Sequence, residues 1–195
     1  MAAPVEIRIH GRGGQGNVVA AYLLAAGAIH AGFEAQAFPS FGAERRGAPV
    51  TAFVRIRETP IRRRSEVEHP DFLVVQDAKL LNIPGTAAGL VPGGGILVNA
   101  ESTDGLPSAL LEAAKVVAIP ASRLAKESLG RDIPNVPLIA ALVGLTGLFP
   151  AEDFVAAVTA RFDAKTAAKN RAAAEAALAL ITPGAWRRQP AKEVA

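Results

Sequence analysis

The chain has 195 residues, and its 21 lysines and arginines against 18 aspartates and glutamates give a formal charge of +3. That length suits one α/β domain with a sizeable hydrophobic core. The absence of cysteine excludes disulfides, a thiolate nucleophile and any zinc or iron–sulfur centre bound through cysteines of this chain. Three scattered histidines favour no metal site, and an excess of three positive charges is too small to indicate nucleic-acid binding.

Alternating apolar and polar residues over 5–10 predict the first strand, and a glycine-rich turn over 11–16 leads into a helix over 17–30. Further strands are predicted at 33–38, 50–57, 72–76, 96–99 and 115–119. Further helices are predicted at 78–81, 122–129, 137–148, 151–161 and 164–180. This alternation predicts a Rossmann-like α/β protein with three layers, α/β/α, around a mostly parallel or mixed sheet.

No long linker divides the chain, so we expect one domain over residues 1–182 and an irregular tail over 183–195. In this tail, Trp186, Arg187 and Arg188 are candidate partner contacts. The longest apolar stretch, residues 138–149, is shorter than the roughly 20 residues that span a bilayer. A strand-like segment follows Met1 almost directly. We therefore expect no signal peptide, no membrane contact and a cytoplasmic protein.

The turn between the first strand and helix fits the pattern G-x-G-x-x-G, with the residues Gly11, Arg12, Gly13, Gly14, Gln15 and Gly16. Glycines let the backbone approach a phosphate, and the N-terminus of the helix offers free N–H groups. A dinucleotide site also requires an acidic residue at the end of the second strand. Glu34 lies at the start of that strand, which weakens the dinucleotide interpretation. A tight turn that only packs helix against strand is an alternative.

Residues 41–64 contain two glutamates and no lysine but seven arginines, at positions 45, 46, 55, 57, 62, 63 and 64. The planar guanidinium suits bidentate contacts with phosphate or carboxylate. Because Glu44, Arg45 and Arg46 lie in a loop (39–49) rich in proline and glycine, we expect them to contact a ligand or another subunit. For Arg62 to Arg64, a solvated basic hairpin is an equally good interpretation.

Two other polar residues end buried strands. Asp77 and Asn99 are therefore either ligand-facing groups or helix caps. Among the histidines, only His10, next to the glycine turn, is a candidate site residue. No pattern for covalent catalysis is present.

The segments 10–16 (HGRGGQG) and 37–50 (AFPSFGAERRGAPV) together resemble the gamma subunit of 2-oxoacid:ferredoxin oxidoreductases, of which the pyruvate enzyme is the best-known member. Further similarity lies at 60–65, 69–71, 94–99, 125–135 and 169–170, so the resemblance extends over about residues 5–175.

The resemblance implies a multi-subunit enzyme that oxidatively decarboxylates a 2-oxo acid with coenzyme A, giving an acyl-CoA and carbon dioxide. It implies that thiamine diphosphate, Mg²⁺ and [4Fe-4S] clusters belong to alpha, beta and delta subunits, which pass electrons to ferredoxin or an NAD-linked flavoprotein. This chain would hold no cofactor or metal alone and would carry no catalytic residue. It would scaffold the complex and help to position coenzyme A.

Together, residues and resemblance predict that the Gly11–Gly16 turn and the Glu44, Arg45 and Arg46 loop line the approach of coenzyme A or an adjoining subunit contact. Two alternatives remain at this point. One is a stand-alone dinucleotide-binding Rossmann protein, and the other is a purely structural assembly subunit.

Overall fold

A mixed six-stranded sheet, in the order β2-β3-β1-β4-β5-β6, forms the centre of the protein. The computed structural model describes residues 3–40 and 47–187. In that part, the strands are β1 Val5–Arg12, β2 Glu34–Pro39, β3 Pro49–Arg57, β4 Phe72–Val75, β5 Gly95–Asn99 and β6 Lys115–Ile119. The helices are α1 Asn17–His30, α2 Ser108–Ala113, α3 Ala121–Leu129, α4 Asn135–Thr146, α5 Ala151–Arg161 and α6 Ala164–Leu178. A 3-10 helix covers Ala78–Asn82.

Strands β1, β4, β5 and β6 are parallel, whereas β3 runs antiparallel to both β1 and β2. The predicted α/β class is confirmed. The expected end of β1 at residue 10 is wrong, because Gly11 pairs with Val50 and Arg12 pairs with Pro49. The glycine turn is therefore confined to residues 13–16, and the first two residues of the motif belong to the strand.

One face of the sheet carries the main hydrophobic core. Because side chains alternate along a strand, Ile7, Ile9 and Val74 all point to this face, where they are fully buried. Helices α1, α4, α5 and α6 contribute the other side of the core. Helix α4 is apolar around its whole circumference because α1, α3, α5 and α6 surround it on the side away from the sheet.

The opposite face has a thinner layer. Leu73, Val75, Ile96 and Val98 pack there against Leu80 and Leu81 of the 3-10 helix. Helix α2 borders this cluster through Leu110, which is only partly buried. The sequence did not predict α2, because it has six residues and none of them is buried.

Where β1 and β3 form this face of the sheet, charged side chains cover it instead of a helix. Arg8 donates hydrogen bonds to the carbonyl oxygens of Thr86 and Ala88, at 2.9 and 2.7 Å, and to Nε2 of His10 at 2.9 Å. Arg8 therefore anchors the connection between β4 and β5 across the sheet. Burial, and then the charge of Arg8, lowers the pKa of His10 to about 4, so the imidazole is neutral at pH 7.

Residues 183–187 form no helix or strand, but they pack on the domain. Trp186 is only 5% exposed and stacks on Phe72 with 5.8 Å between ring centroids. Its backbone N–H donates to the carbonyl of Leu145 at 2.8 Å. Trp186 is thus part of this chain's own core and not a free partner contact. None of the helices in residues 3–40 and 47–187 is long and apolar enough to cross a membrane.

Candidate functional site

The glycine turn joins β1 to α1 at the carboxyl end of β1. The N–H of Gly13 donates to the carbonyl of Ala48 at 2.9 Å, and the N–H of Gln15 donates to the carbonyl of Arg12 at 3.0 Å. No side chain of the described residues caps the N-terminus of α1, which begins after Gly16. The N–H groups of the first turn of α1 are therefore available to an anion or to water.

Different structural constraints require glycine at different positions of the turn. A Cβ on Gly11 would collide with the side chain of Asn17, and one on Gly16 would lie 2.9 Å from Nδ2 of Asn135. A Cβ on Gly14 would meet nothing within 4 Å, although its φ of +98° disfavours other residues. Internal packing explains Gly11 and Gly16, whereas Gly14 faces open space.

A buried polar cluster supports the turn from behind. Asn17 Nδ2 donates to the carbonyl of Val50 at 2.7 Å, and Gln76 Nε2 donates to Asn17 Oδ1 at 2.5 Å. The backbone N–H of Gln76 donates to the carbonyl of His10 at 2.8 Å. The cluster fixes α1 to β1, β3 and β4. The sequence analysis missed it, although a glutamine at the end of a buried strand was a visible signal.

The side chain of Arg12, at the end of β1, reaches Asp77, which lies two residues after the end of β4. Its Nε donates to the carboxylate of Asp77 at 2.5 Å, and its Nη1 donates to the carbonyl of Gly47 at 3.2 Å. Asp77 also accepts from the N–H of Lys79 at 3.0 Å and so caps the 3-10 helix. Asn99 accepts from the N–H of Ser122 at 3.0 Å, in the first turn of α3. Asp77 and Asn99 thus act as caps, one of the two interpretations open from the sequence.

Glu44, Arg45 and Arg46 lie outside the described residues. The described chain after them returns to the glycine turn, where the N–H of Gly47 donates to the carbonyl of Gly13 at 3.3 Å. Gly47, the first described residue after them, therefore lies beside the turn. Their role at this site stays a prediction.

A groove of about 430 Å³ opens beside Gly14 and Gly16, bounded by the connection from α3 to α4 and by the starts of α4 and α6. Its cations are Arg131, Lys165 and Lys169, and no acidic side chain of the described residues lines it. Its apolar lining consists of Val19, Leu129, Ile133, Val136 and Phe162. We call this the α4 groove. Its volume lies within the roughly 300–1,000 Å³ of ligand pockets.

In the sequence, Arg131 and Lys169 stand out only as parts of segments that resemble the family, and Lys165 does not stand out at all. The signal was two lysines four residues apart, which share one face of a helix. Two carboxylates flank the groove without lining it. Hydrogen bonds with Thr166 lower the pKa of Asp163, and a hydrogen bond with Ser122 contributes most to the lowered pKa of Asp132.

A second opening, also of about 430 Å³, lies on the other side of the turn at the carboxyl ends of β4 and β5. Asp77 and Asp132 line it together with Lys79. Arg12 and Lys126 pair with these two carboxylates, so the opening offers a polyanion little uncompensated positive charge. The α4 groove, with three cations and no carboxylate in its described lining, is the better anion site. Among the described residues, no group of three or more His, Asp or Glu side chains could hold a metal ion.

Fold and site together define a Rossmann-like α/β protein whose glycine turn and cationic groove suit an anionic ligand with an apolar part. Residues 6–180 match the family model described as pyruvate ferredoxin/flavodoxin oxidoreductase, and the chain belongs to that family. The relatives named next, which include a common subunit gamma, confirm the resemblance to the gamma subunit.

Relatives cover nearly the whole chain. It is 44% identical over 173 residues to pyruvate synthase subunit PorC of Methanothermobacter marburgensis, covering 89% of this chain and 95% of the relative. It is 43% identical over 175 residues to the pyruvate/ketoisovalerate oxidoreductases common subunit gamma of Thermococcus litoralis, with coverages of 89% and 95%. The crystal structure of pyruvate oxidoreductase subunit PORC from Thermotoga maritima superposes with a TM-score of 0.78 at 34% identity, covering 91% of this chain and 97% of that one.

Proposed function

We propose that this chain, as the gamma subunit of a 2-oxoacid:acceptor oxidoreductase, scaffolds the complex and positions coenzyme A at the glycine turn and the α4 groove. In the proposed reaction, a 2-oxo acid and coenzyme A give an acyl-CoA and carbon dioxide, while two electrons pass to ferredoxin or to NAD through a flavoprotein. The observation that carries the coenzyme A proposal is the α4 groove, with three cations and no acidic lining residue among those described.

The chemistry of coenzyme A matches this site. Its pyrophosphate and 3′-phosphate are anions that bind guanidinium, ammonium and helix N-terminal N–H groups through charge-assisted hydrogen bonds. Its adenine and pantetheine are less polar and suit the side of the groove formed by Ile133 and Phe162. Gly14 leaves room for a ligand to approach the turn. Arg45 and Arg46, which directly precede Gly47 in the sequence, would add guanidinium contacts.

The proposed division of labour follows from what the chain contains. With no cysteine, this chain offers no thiolate for an iron–sulfur cluster, and we assign the [4Fe-4S] clusters to partner subunits. We likewise assign thiamine diphosphate with Mg²⁺ to alpha and beta subunits, and we propose a cytoplasmic complex with a delta subunit. The residues of this chain would then bind and orient coenzyme A and hold the other subunits.

The geometry disfavours a stand-alone dinucleotide-binding protein. In the strand register, Glu34 of β2 lies opposite Arg57 of β3, and the neighbouring Ile56 lies opposite Val5 at the amino end of β1. Glu34 therefore lies at the opposite end of the sheet from the glycine turn, where it could not bind the ribose of a dinucleotide whose pyrophosphate sits on α1.

The test uses the purified complete enzyme carrying K165Q/K169Q. Each lost charge-assisted hydrogen bond is worth about 1.5–3 kcal/mol, so we expect the KM for coenzyme A to rise at least tenfold with little change in kcat. The matched control, R161Q/R171Q, removes two charges from α5 and α6 at positions that do not line the groove, and it should leave the KM unchanged.

An unchanged KM in an intact K165Q/K169Q complex would contradict the role in coenzyme A binding. The substitutions could instead release this chain from part of the preparation, while the complexes that stay intact keep the KM of the unsubstituted enzyme. That result would support the purely structural alternative.

A further inference from the structure

A second cationic site lies at the amino end of β1, the end of the sheet opposite the glycine turn. A recess of about 780 Å³ opens there between the residues before β1, the end of β3 and the connection that follows β3. Its charged lining residues are Glu6, Arg55, Arg57, Arg62 and Arg63. We call it the arginine recess. The coenzyme A site proposed above does not use it, and the inference below rests on the proposed scaffolding role.

Arg55 forms the inner wall of the recess and is only 1% exposed. Its Nε donates to Glu6 Oε1 at 2.5 Å, and its Nη2 donates to the carbonyl of Glu66 at 3.1 Å. Its Nη1 is buried and has no hydrogen-bond partner among the residues that the structure describes. Because buried donors are nearly always paired in folded proteins, this guanidinium has one donor group left for a further acceptor.

The other arginines of the recess also have few hydrogen-bond acceptors or ion-pair partners among the described residues. Arg57 and Arg62 form no ion pair or side-chain hydrogen bond within residues 3–40 and 47–187, and Arg63 donates only to Ser65 Oγ at 2.7 Å. Glu6 is the single carboxylate that lines the recess in this part of the chain, and it is already bound to Arg55. Four guanidinium groups thus face one carboxylate.

We infer that the arginine recess binds carboxylates of an acidic segment from another subunit of the same enzyme. The inference rests on the excess of guanidinium groups over carboxylates in the recess and on membership of a family whose relatives are named as subunits. A guanidinium binds a carboxylate through two parallel hydrogen bonds, and arginine is enriched over lysine at protein interfaces. Pro60 and Ile61 add apolar lining for the body of a peptide. The position opposite the α4 groove leaves both sites accessible at once.

The first test converts the proposed contact between position 62 and a carboxylate of another subunit into a covalent cross-link. Arginine does not react with a carbodiimide-activated carboxylate, whereas a lysine amine does, so R62K converts a guanidinium contact into a site for cross-linking. We expect the R62K complex, treated with a water-soluble carbodiimide, to give a cross-linked peptide joining position 62 to an aspartate or glutamate of another subunit. The unsubstituted complex should give none at this position. Cross-links only to Glu58 or Glu66 of the same chain, or to a second copy of this chain, would overturn the inference.

The second test measures assembly. In R62E/R63E, two exposed cations become anions, and we expect the complex to release this chain at an NaCl concentration at least twofold lower during size-exclusion chromatography. R161E/R171E makes the same charge change outside the recess and should behave as the unsubstituted complex does. Equal release for both variants would overturn the inference. An unchanged thermal unfolding temperature of the purified R62E/R63E chain excludes misfolding as the cause.

Discussion

Alanine substitutions at Gly14 and Gly16 separate the two explanations of the glycine turn. At Gly16, the left-handed backbone (φ +80°) costs an ordinary residue about 1–2 kcal/mol. A new Cβ would also lie 2.9 Å from Nδ2 of the buried Asn135. Displacing that side chain breaks its hydrogen bond to the N–H of Val136, which adds about 1–3 kcal/mol. We expect G16A to lower the free energy of unfolding by about 3 kcal/mol.

We expect G14A to lower the free energy of unfolding less than G16A does, and to weaken ligand binding more. The added Cβ meets no protein atom within 4 Å, so only the backbone term of about 1–2 kcal/mol applies. For a chain of this length each kcal/mol lowers the Tm by about 2–4 °C, which predicts a loss of roughly 5 °C for G14A and 10 °C for G16A. Because the Cβ of G14A enters the proposed path of coenzyme A, the KM for coenzyme A in the complete enzyme should rise at least tenfold.

The matched control is G32A. Gly32 has a similar φ of +88°, a Cβ there also meets nothing within 4 Å, and it lies at the other end of α1. G32A should lose as much stability as G14A and keep its KM. Calorimetry on the purified chains and steady-state kinetics on the complexes provide the two measurements. If G14A and G32A give the same KM, Gly14 serves only the conformation of the turn, and the reasoning that links it to a ligand is wrong.

Two further predictions concern stability. The pKa of His10 is about 4 in the folded protein against about 6.5 unfolded, so the unfolded chain binds more protons between these values. The free energy of unfolding should fall by up to about 3 kcal/mol as the pH drops from 6.5 to 4, and H10Q should flatten this dependence in urea titrations. W186A should lose about 3–5 kcal/mol in the same titrations, because Trp186 is buried against Phe72, whereas W186F should lose less. A loss below 1 kcal/mol for W186A would show that residues 183–187 contribute little to stability.

Elements with a strong local pattern were predictable from the sequence. The buried strands β4 and β5 are continuous apolar runs, and α1 has its apolar residues at helical spacing, so their positions agree with expectation. The end of β1 was not predictable from local pattern, because glycine is rare inside strands. Gly11 extends the strand by pairing with Val50, 39 positions further along the chain, and a Cβ there would collide with Asn17.

The candidate site was only partly predictable for a similar reason. Its glycines lie within six residues of one another and stand out, but Arg131, Lys165 and Lys169 come from two other parts of the chain. Each is, taken alone, an ordinary surface cation, and only the packing of α4 and α6 beside the glycine turn brings the three together. The link between Asn17 and Gln76 joins residues 59 positions apart and could not be read from either segment.

The basic segment over residues 41–64 looks like one cluster in the sequence, but β3 carries its second half away from the glycine turn. Gly47, which follows Arg45 and Arg46 in the sequence, lies beside the glycine turn. Strand β3 then crosses the sheet over nine residues, roughly 30 Å, before the arginine recess begins. Substitutions in this one segment should therefore fall into two classes. Those before β3 should change the KM for coenzyme A, and those after it should change the salt sensitivity of assembly.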